Sequence, residues 1–596
     1  MRFISCVVAA LLALPATAQD AADAVAPEAA TQGQFEAISP EVGKALSAKA
    51  AGRPVAAQEW MVAAANPHAV QAGADVLRAG GTAADALVAV QTVLGLVEPQ
   101  SSGLGGGAFL VWYDAASGNV TTLDAREAAP LAATPRLFQD EDGAPLKFFD
   151  AVVGGRSVGV PGTPALLETL HEKWGRLEWP SLLQPAITLA EGGFAVSPRL
   201  AGLVERDADR LSRFAETAAY FLPEGAPLQA GTTLTNPAYA ATLRKMASDG
   251  ARVFYARGEG AIGSDIVATV QNAPGNPGVL SEWDLALYQV IERPAVCASY
   301  RDHDVCGMGP PSSGALAVGQ TLGILNQFDL ATLGPDDPQS WRLIGDASRL
   351  AFADRGRYVA DTDFVPVPVQ GMVDPAYLAG RAALLFGDGA LESVSPGAPE
   401  FEHALLWADD EALELPSTSH ISIVDSFGNV ASMTTTIENA FGSRLMTNGF
   451  LLNNELTDFS FRSHRDGVPI ANRVEPGKRP RSSMAPTIVL RDGRPVLAIG
   501  SPGGSRIIPY VASAIIAHID WGMNVQQAVA LPHAVNRFGT YDLEEGTKME
   551  AMAPELEAMG FTTGVRDLNS GLHAISIGAN LQGGADPRRE GIALGQ

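Results

Sequence analysis

A threonine hydroxyl is a poor nucleophile unless a proton acceptor stands beside it. The segment Pro416-Ser417-Thr418-Ser419-His420-Ile421-Ser422 offers one way to supply that acceptor. An α-amino group titrates near ~7.7 to 8.0, so a threonine that is itself an N-terminus carries its own base at neutral pH. For Thr418 this requires a cut between Ser417 and Thr418. Other chemistries are less well served. His171-Glu172-Lys173-Trp174-Gly175 has glycine where a zinc-binding helix needs its second histidine, so neither a catalytic metal nor a cofactor is expected. Gly155-Arg156-Ser157-Val158-Gly159 has the outline of a serine-hydrolase elbow. Pro161-Gly162 stand where a helix must follow, which makes a plain turn the better reading.

The elements that must position Thr418 are legible around it. Residues 419–425 and 430–437 alternate and are rich in Ile, Val, Ser and Thr, with Ser426-Phe427-Gly428-Asn429 as the turn, so they predict a hairpin with Thr418 at its mouth. A second hairpin is predicted for Thr487 to Leu490 and Pro495 to Ile499 around Asp492-Gly493. Beyond it, Ser501-Pro502-Gly503-Gly504-Ser505 leads into a helical run, which turns the amides of Gly503 and Gly504 toward any anion placed there. Upstream, Asn66-Pro67 opens a helix that stops at Gly80-Gly81. Thr82, with Asp85 three residues on, caps a second that is apolar almost all round. Gly103 to Gly107 precede the strand-like run Ala108 to Tyr113, the reverse of the dinucleotide-binding order, and would let the backbone approach a neighbour closely. Residues 160–400 read mainly as helices between Pro and Gly turns. Strands backed by helices on both sides suggest a stacked sandwich and not a parallel doubly wound sheet.

Composition limits the setting. A net charge of −25 argues against nucleic-acid or anionic-membrane binding, which need clustered Lys and Arg. Arg2, the apolar run Phe3 to Leu14 and Ala16-Thr17-Ala18 read as a signal peptide over 1–18, so a secreted or periplasmic protein without a membrane anchor is expected. Residues 19–55 are rich in Ala, Pro, Gln and acids without an apolar period and read as a disordered leader. In an exported chain Cys297 and Cys306, flanking a possible hairpin tip, are either a disulfide or two free thiols.

Several ordered blocks resemble the γ-glutamyltranspeptidase family. They are Thr418 to Asp425 with Gly428-Asn429, then Asn453-Asn454-Glu455-Leu456-Thr457-Asp458-Phe459, then Pro476 to Met484, then Gly500 to Arg506. Gly103 to Phe109, Arg126-Glu127-Ala128-Ala129-Pro130, Pro310-Pro311-Ser312-Ser313-Gly314 and Ala585-Asp586-Pro587-Arg588 extend the likeness over about residues 60 to 596. The resemblance implies an α+β fold, the four-layer αββα sandwich of N-terminal-nucleophile hydrolases. It also implies a heterodimer made from one self-cleaved precursor. The large subunit, 56–417 of the folded part, and the small subunit, 418–596, would form one interleaved domain.

Carried over position by position, the resemblance implies that Thr418 attacks the amide of a γ-glutamyl donor such as glutathione, giving an acyl-enzyme that passes to water or to an amino acid or dipeptide. Thr436 would hold Thr418 in register, and Gly503 and Gly504 would stabilise the oxyanion. Arg126, Ser482 and Ser483 would bind the donor carboxylate, and Asp458 with Glu438 and Glu455 its ammonium. Many family members carry amides where this chain has Glu438 and Glu455, a difference that should favour donors with a free α-amine over glutaryl compounds. The stretch between Asp458 and Ser482 is short and carries no evident aromatic lid. A β-lactam side-chain acylase on the same fold, and an exported binding protein that never matures, are the competing readings. Retained Asp458 speaks against the acylase, which has no ammonium to bind.

Overall fold

The computed structural model describes residues 35–258, 260–403, 406–410, 412 and 414–596. The predicted signal peptide and the first part of the predicted leader lie outside them. Within the leader the prediction fails at its end, because residues 40–50 form a helix, α1 (Pro40–Ala50). Ser39 caps it by accepting from the Val42 amide at 3.2 Å, and Pro40 fills the first turn, where no N–H is missed. Val42 and Ala45 are its two buried residues. One turn of apolar contact is too short to register as a period, yet a good cap and alanine-rich composition are enough once it packs on the body of the protein.

The two predicted helices follow: α2 (Pro67–Arg78) and α3 (Ala83–Val97). Asn66 caps the first, and Thr82 with Asp85 forms a reciprocal capping box on the second, each cap typically worth about 1 kcal/mol. Every residue of α3 is buried, which explains its lack of a polar stripe. Further helices are α4 (Trp179–Gly192), α5 (Pro237–Asp249), α6 (Gly314–Leu325), α7 (Pro338–Tyr358) and α8 (Ile507–Ile519).

Fourteen strands build two seven-stranded sheets. In chain order the strands are β1 (Val55–Ala57), β2 (Met61–Ala64), β3 (Gly107–Asp114), β4 (Asn119–Ala125), β5 (Ile291–Pro294), β6 (Val296–Tyr300) and β7 (His303–Gly307). After them come β8 (Ser419–Val424), β9 (Val430–Thr436), β10 (Thr487–Arg491), β11 (Arg494–Gly500), β12 (His573–Ile577), β13 (Leu581–Ala585) and β14 (Ile592–Gly595). One sheet runs β14-β2-β8-β9-β3-β4-β5 and the other β1-β13-β12-β11-β10-β7-β6, with every neighbouring pair antiparallel. Both predicted hairpins are present, as β8–β9 and β10–β11.

Three apolar layers hold the stack. Met61, Val111, Val424 and Val430 of the first sheet meet Ile488, Ala498 and Ile575 of the second in the middle. Residues of α2, α3, α4 and α5 cover the outer face of the first sheet, and those of α6, α7 and α8 cover the second. This is the αββα sandwich the resemblance implies. Each sheet contains strands from both before and after position 418, so the two predicted subunits share all three layers. Cys297 and Cys306 face each other across β6–β7 and form a disulfide, which settles the pairing left open above. Ser157 of the elbow-like motif is buried in a 3-10 turn and donates to the Val152 carbonyl at 2.6 Å, the plain turn expected.

Candidate active site

Thr418 immediately precedes β8, and Thr436 ends the strand beside it. Since Ser419 pairs with Thr435, the next step of the ladder brings the two threonines together, with Thr418 Oγ1 to Thr436 Oγ1 at 3.1 Å. Thr436 is fixed from two sides. Its Oγ1 accepts from the Glu438 amide at 2.7 Å. Its carbonyl lies so near the glycine run that a methyl group on Gly106 would stand 1.9 Å away, and one on Gly105 would stand 2.0 Å from the Leu451 carbonyl. Close backbone approach, expected of these glycines from sequence, is therefore what seats the end of β9.

The chain is continuous through the Ser417–Thr418 bond, and that bond is held on both sides. The Gly503 amide donates to the Ser417 carbonyl at 3.2 Å, Ser417 Oγ donates to the Gln100 carbonyl at 3.1 Å, and Arg589 Nη1 donates to the Thr418 carbonyl at 3.3 Å. Thr418 has φ 98°, a region that β-branched residues avoid because Cβ crowds the backbone. Such strain typically amounts to about 1–3 kcal/mol and persists only where the surroundings impose it. Gly503 and Gly504 take φ 136° and 59°, which L side chains rarely adopt, and lead directly into α8. A methyl on Gly504 would stand 2.8 Å from the Leu415 carbonyl oxygen, so the segment before the bond lies on that glycine.

Beyond Thr418 a small cavity of about 20 Å³ is lined by Arg126, Glu414, Leu415, Thr436, Glu438 and Glu455, with Asp458, Ser482, Ser483 and Gly504 among the remaining wall residues. All the predicted site residues except Ser417 and Gly503 thus share one pocket, and those two are joined beside it by the Gly503 amide on the Ser417 carbonyl. Asn453 and Asn454 explain how the acidic wall forms. Asn453 donates to the Gly105 and Gly159 carbonyls at 2.8 and 3.0 Å and accepts from the Glu455 amide at 3.0 Å. Asn454 accepts from the Asn439 amide at 3.0 Å and donates to Glu438 Oε2 at 3.2 Å. The Pro310–Gly314 block supports the serines from behind, since the Ser313 amide and hydroxyl both donate to the Ser482 carbonyl, at 2.8 and 2.7 Å.

One guanidinium faces three carboxyl groups here, and a fourth, Glu438, lines the same pocket. Arg126 pairs with Glu455, lies 2.5 Å from Asp458 and 4.0 Å from Glu127, and donates to the Pro480 and Arg481 carbonyls at 3.1 and 2.9 Å. Burial, opposed by Arg126, pushes Glu455 up to about 8 and Asp458 up to about 6. Burial, and then the charges of Asp458 and Glu455, raise Glu438 well above the carboxylate range. Burial and Glu455 do the same for Glu127. The pocket therefore holds protons at neutral pH that a bound cation would displace.

Sequence reasoning missed Glu414 and Arg355. Ser483 donates to Glu414, and Arg355 both pairs with Glu414 and donates to Ser483 Oγ at 2.8 Å. In the uncut chain Ser483 thus serves a carboxylate of the protein itself, and the fork of Arg126 is taken up by Glu455 and Asp458. No local motif marks Glu414, and Arg355 sits in an ordinary helix, α7, so only folding brings positions 355, 414 and 483 together. The aromatic residues of the short segment after Asp458 turn away from the pocket. Phe459 is buried in a satellite core, and Phe461 stacks on Phe138 at 4.7 Å.

The family model described as Gamma-glutamyltranspeptidase matches residues 69–596. The chain is 38% identical over 552 residues to a glutathione hydrolase proenzyme of Bacillus subtilis, covering 90% of this chain and 92% of that one. It is 35% identical over 554 residues to an acylase proenzyme of a Pseudomonas species, covering 91% and 94%. Among solved structures, cephalosporin acylase from Bacillus halodurans superposes with a TM-score of 0.79 at 25% identity, over 91% of this chain and 97% of that one. With a family model spanning nearly all of the described sandwich, this chain belongs to the γ-glutamyltranspeptidase family.

Proposed function

We propose that this chain is the precursor of a γ-glutamyltransferase and glutathione hydrolase, and that it matures by cutting itself between Ser417 and Thr418. The observation that carries the reading is the arrangement at the bond itself. A strained Thr418 has its hydroxyl on Thr436, and the carbonyl before it rests on the Gly503 amide. In maturation the Thr418 oxygen attacks the Ser417 carbonyl carbon, the amide nitrogen leaves as the Thr418 amine, and water hydrolyses the resulting ester to a Ser417 carboxylate and a free Thr418. The Gly503 amide stabilises the oxyanion, a contribution of about 3 kcal/mol for one donor.

In turnover the new amine takes the hydroxyl proton, and the oxygen attacks the γ-amide carbon of the donor. The leaving amine departs with a proton, and the acyl ester passes to water or to an amino acid or peptide. Gly503 and Gly504 serve the second oxyanion. Arg126, Ser482 and Ser483 take the donor carboxylate, and Asp458, Glu438 and Glu455 take its ammonium. The excess of carboxyl groups supports a donor with a free α-amine, and the identity to a glutathione hydrolase proenzyme points the same way. No helix among the described residues is long and apolar enough to cross a membrane. We read the protein as exported on the strength of its N-terminal sequence.

The acylase relatives keep a second reading open, so the test compares donors. Purified protein is incubated with γ-glutamyl-p-nitroanilide and glutaryl-p-nitroanilide, with and without a dipeptide, while gel bands follow the cut. Two fragments, the smaller beginning Thr-Ser-His-Ile, and preference for the γ-glutamyl compound are expected. Thr418→Ala should abolish both cutting and release. Cutting at the same bond in that variant refutes self-cleavage, and preference for the glutaryl compound favours the acylase.

A further inference from the structure

Glu414 stands four positions before Thr418 and is buried, with its carboxylate on the Ser483 hydroxyl and the Arg355 guanidinium. Arg355 is itself buried, donates to Ser313 Oγ at 2.8 Å and lies near a second arginine, Arg481, whose Nε is 3.9 Å from Glu414. Arg481 has its own partner in Asp410 at 2.8 Å. Burial alone would raise the Glu414 carboxyl, but Arg355, Arg481 and the Ser483 hydroxyl hold it below the ordinary value. Ser483 is thus one member of a seat built for a carboxylate, with Arg355 as its charge.

The seat cannot keep its present occupant while a donor reacts. The cavity beside Thr418, about 20 Å³, is close to the room one water needs. The Gly503 amide that must meet the donor carbonyl is on Ser417, and the backbone of Glu414 and Leu415 lies against Gly504. Glu414 and Leu415 form part of the wall of that cavity, so withdrawal of 414–417 would widen it for a γ-glutamyl group, and cutting the chain at 417 frees that segment at one end. Withdrawal of Glu414 removes the carboxylate paired with the buried Arg355 guanidinium and leaves Asp410, already paired with Arg481, as the more distant charge, a loss that an arriving carboxylate would make good.

We propose that Arg355 and Ser483 form a carboxylate seat that Glu414 fills in the precursor and that the donor's α-carboxylate takes over in the cut enzyme, making Arg355 a specificity-determining residue. The proposal rests on the γ-glutamyl reading above. Its first consequence is that the precursor excludes donors by offering its own glutamate to the site. Its second is that recognition of the α-carboxylate is shared between Arg126 and Arg355.

Two experiments test it. In the first, cut enzyme is assayed with γ-glutamyl-p-nitroanilide and with 4-aminobutyryl-p-nitroanilide, which lacks only the α-carboxylate. The ratio of the two kcat/KM values should fall at least about tenfold in Arg355→Met and less in Arg355→Lys, as for loss of a charge-assisted contact. Equal losses on both donors overturn the proposal, since a structural role would not distinguish them. A wild-type enzyme that fails to release the γ-glutamyl compound refutes the underlying functional reading instead. The second experiment needs no Arg355 variant. Self-cutting of Glu414→Gly should be slowed and restored by added acetate but not by acetamide, because an empty seat selects charge. Equal effects of acetate and acetamide overturn the proposal.

Discussion

Replacing Thr436 with valine removes one hydroxyl and keeps the shape of the residue. In the structure that hydroxyl has two partners, Thr418 Oγ1 at 3.1 Å and the Glu438 amide at 2.7 Å. Thr418 loses the group that aims its proton away from the attacked carbonyl, and the Glu438 N–H becomes a buried donor without an acceptor. A neutral hydrogen bond contributes about 1 kcal/mol net, and an orphaned buried donor costs about 1–3 kcal/mol. Part of this second cost falls on the loop carrying Glu438 and so on stability rather than on rate. Assigning about 1.5–3 kcal/mol to the transition state gives a fall of about 10- to 150-fold in self-cutting. The assay is a time course of the 417/418 cut on denaturing gels after rapid purification, with circular dichroism to establish folding. Thr436→Ser keeps the hydroxyl and should cut within a few fold of wild type. A folded Thr436→Val that cuts at the wild-type rate refutes the claim that Thr436 positions the nucleophile.

Two further outcomes follow from the same geometry. The raised Glu455 and Asp458 carboxyls bind protons in the folded chain that the unfolded chain releases at lower pH, so their contribution to stability is complete below about pH 4 and is lost as pH rises through about 6 and then about 8. The thermal midpoint of the uncut Thr418→Ala chain should therefore fall more steeply between pH 5 and 8, by calorimetry, than that of a chain also carrying Glu455→Gln; identical slopes would contradict the assignment. Gly106→Ala places a methyl 1.9 Å from the Thr436 carbonyl and 2.8 Å from Ile437 Cγ2, an overpacking cost of about 3 kcal/mol, and should lower both the melting temperature and the cut fraction.

Much of the scaffold was legible because its signals are local. Asn66, Thr82 with Asp85, and the Ser426–Asn429 turn each act on neighbours within four residues, and each did in the structure what its type predicts. The site was legible in a different way. Thr418, Thr436, Gly503, Gly504 and the acidic wall were placed through resemblance, and the fold brings all but Gly503 into one pocket, with Gly503 beside it. Glu414 and Arg355 stayed hidden because their partner, Ser483, lies 69 and 128 positions away. Helix α1 stayed hidden because its buried face is small, Val42 and Ala45 with Leu46 partly covered. Local rules report caps, turns and periods, whereas a buried ion pair across three remote segments exists only after collapse.

The mixing of strands from either side of position 418 within each sheet has a consequence for a chain cut there. Pulling the two fragments apart would mean tearing the backbone ladders between β14 and β2, β2 and β8, β9 and β3, β1 and β13, and β10 and β7, and opening all three greasy layers at once. Separation and denaturation are then one event. Dilution alone gives the pieces no reason to part, and a fragment made by itself lacks the partners its edges need. A backbone cut there would gain a new chain end where chemistry wants one, while the body around it would remain a single object.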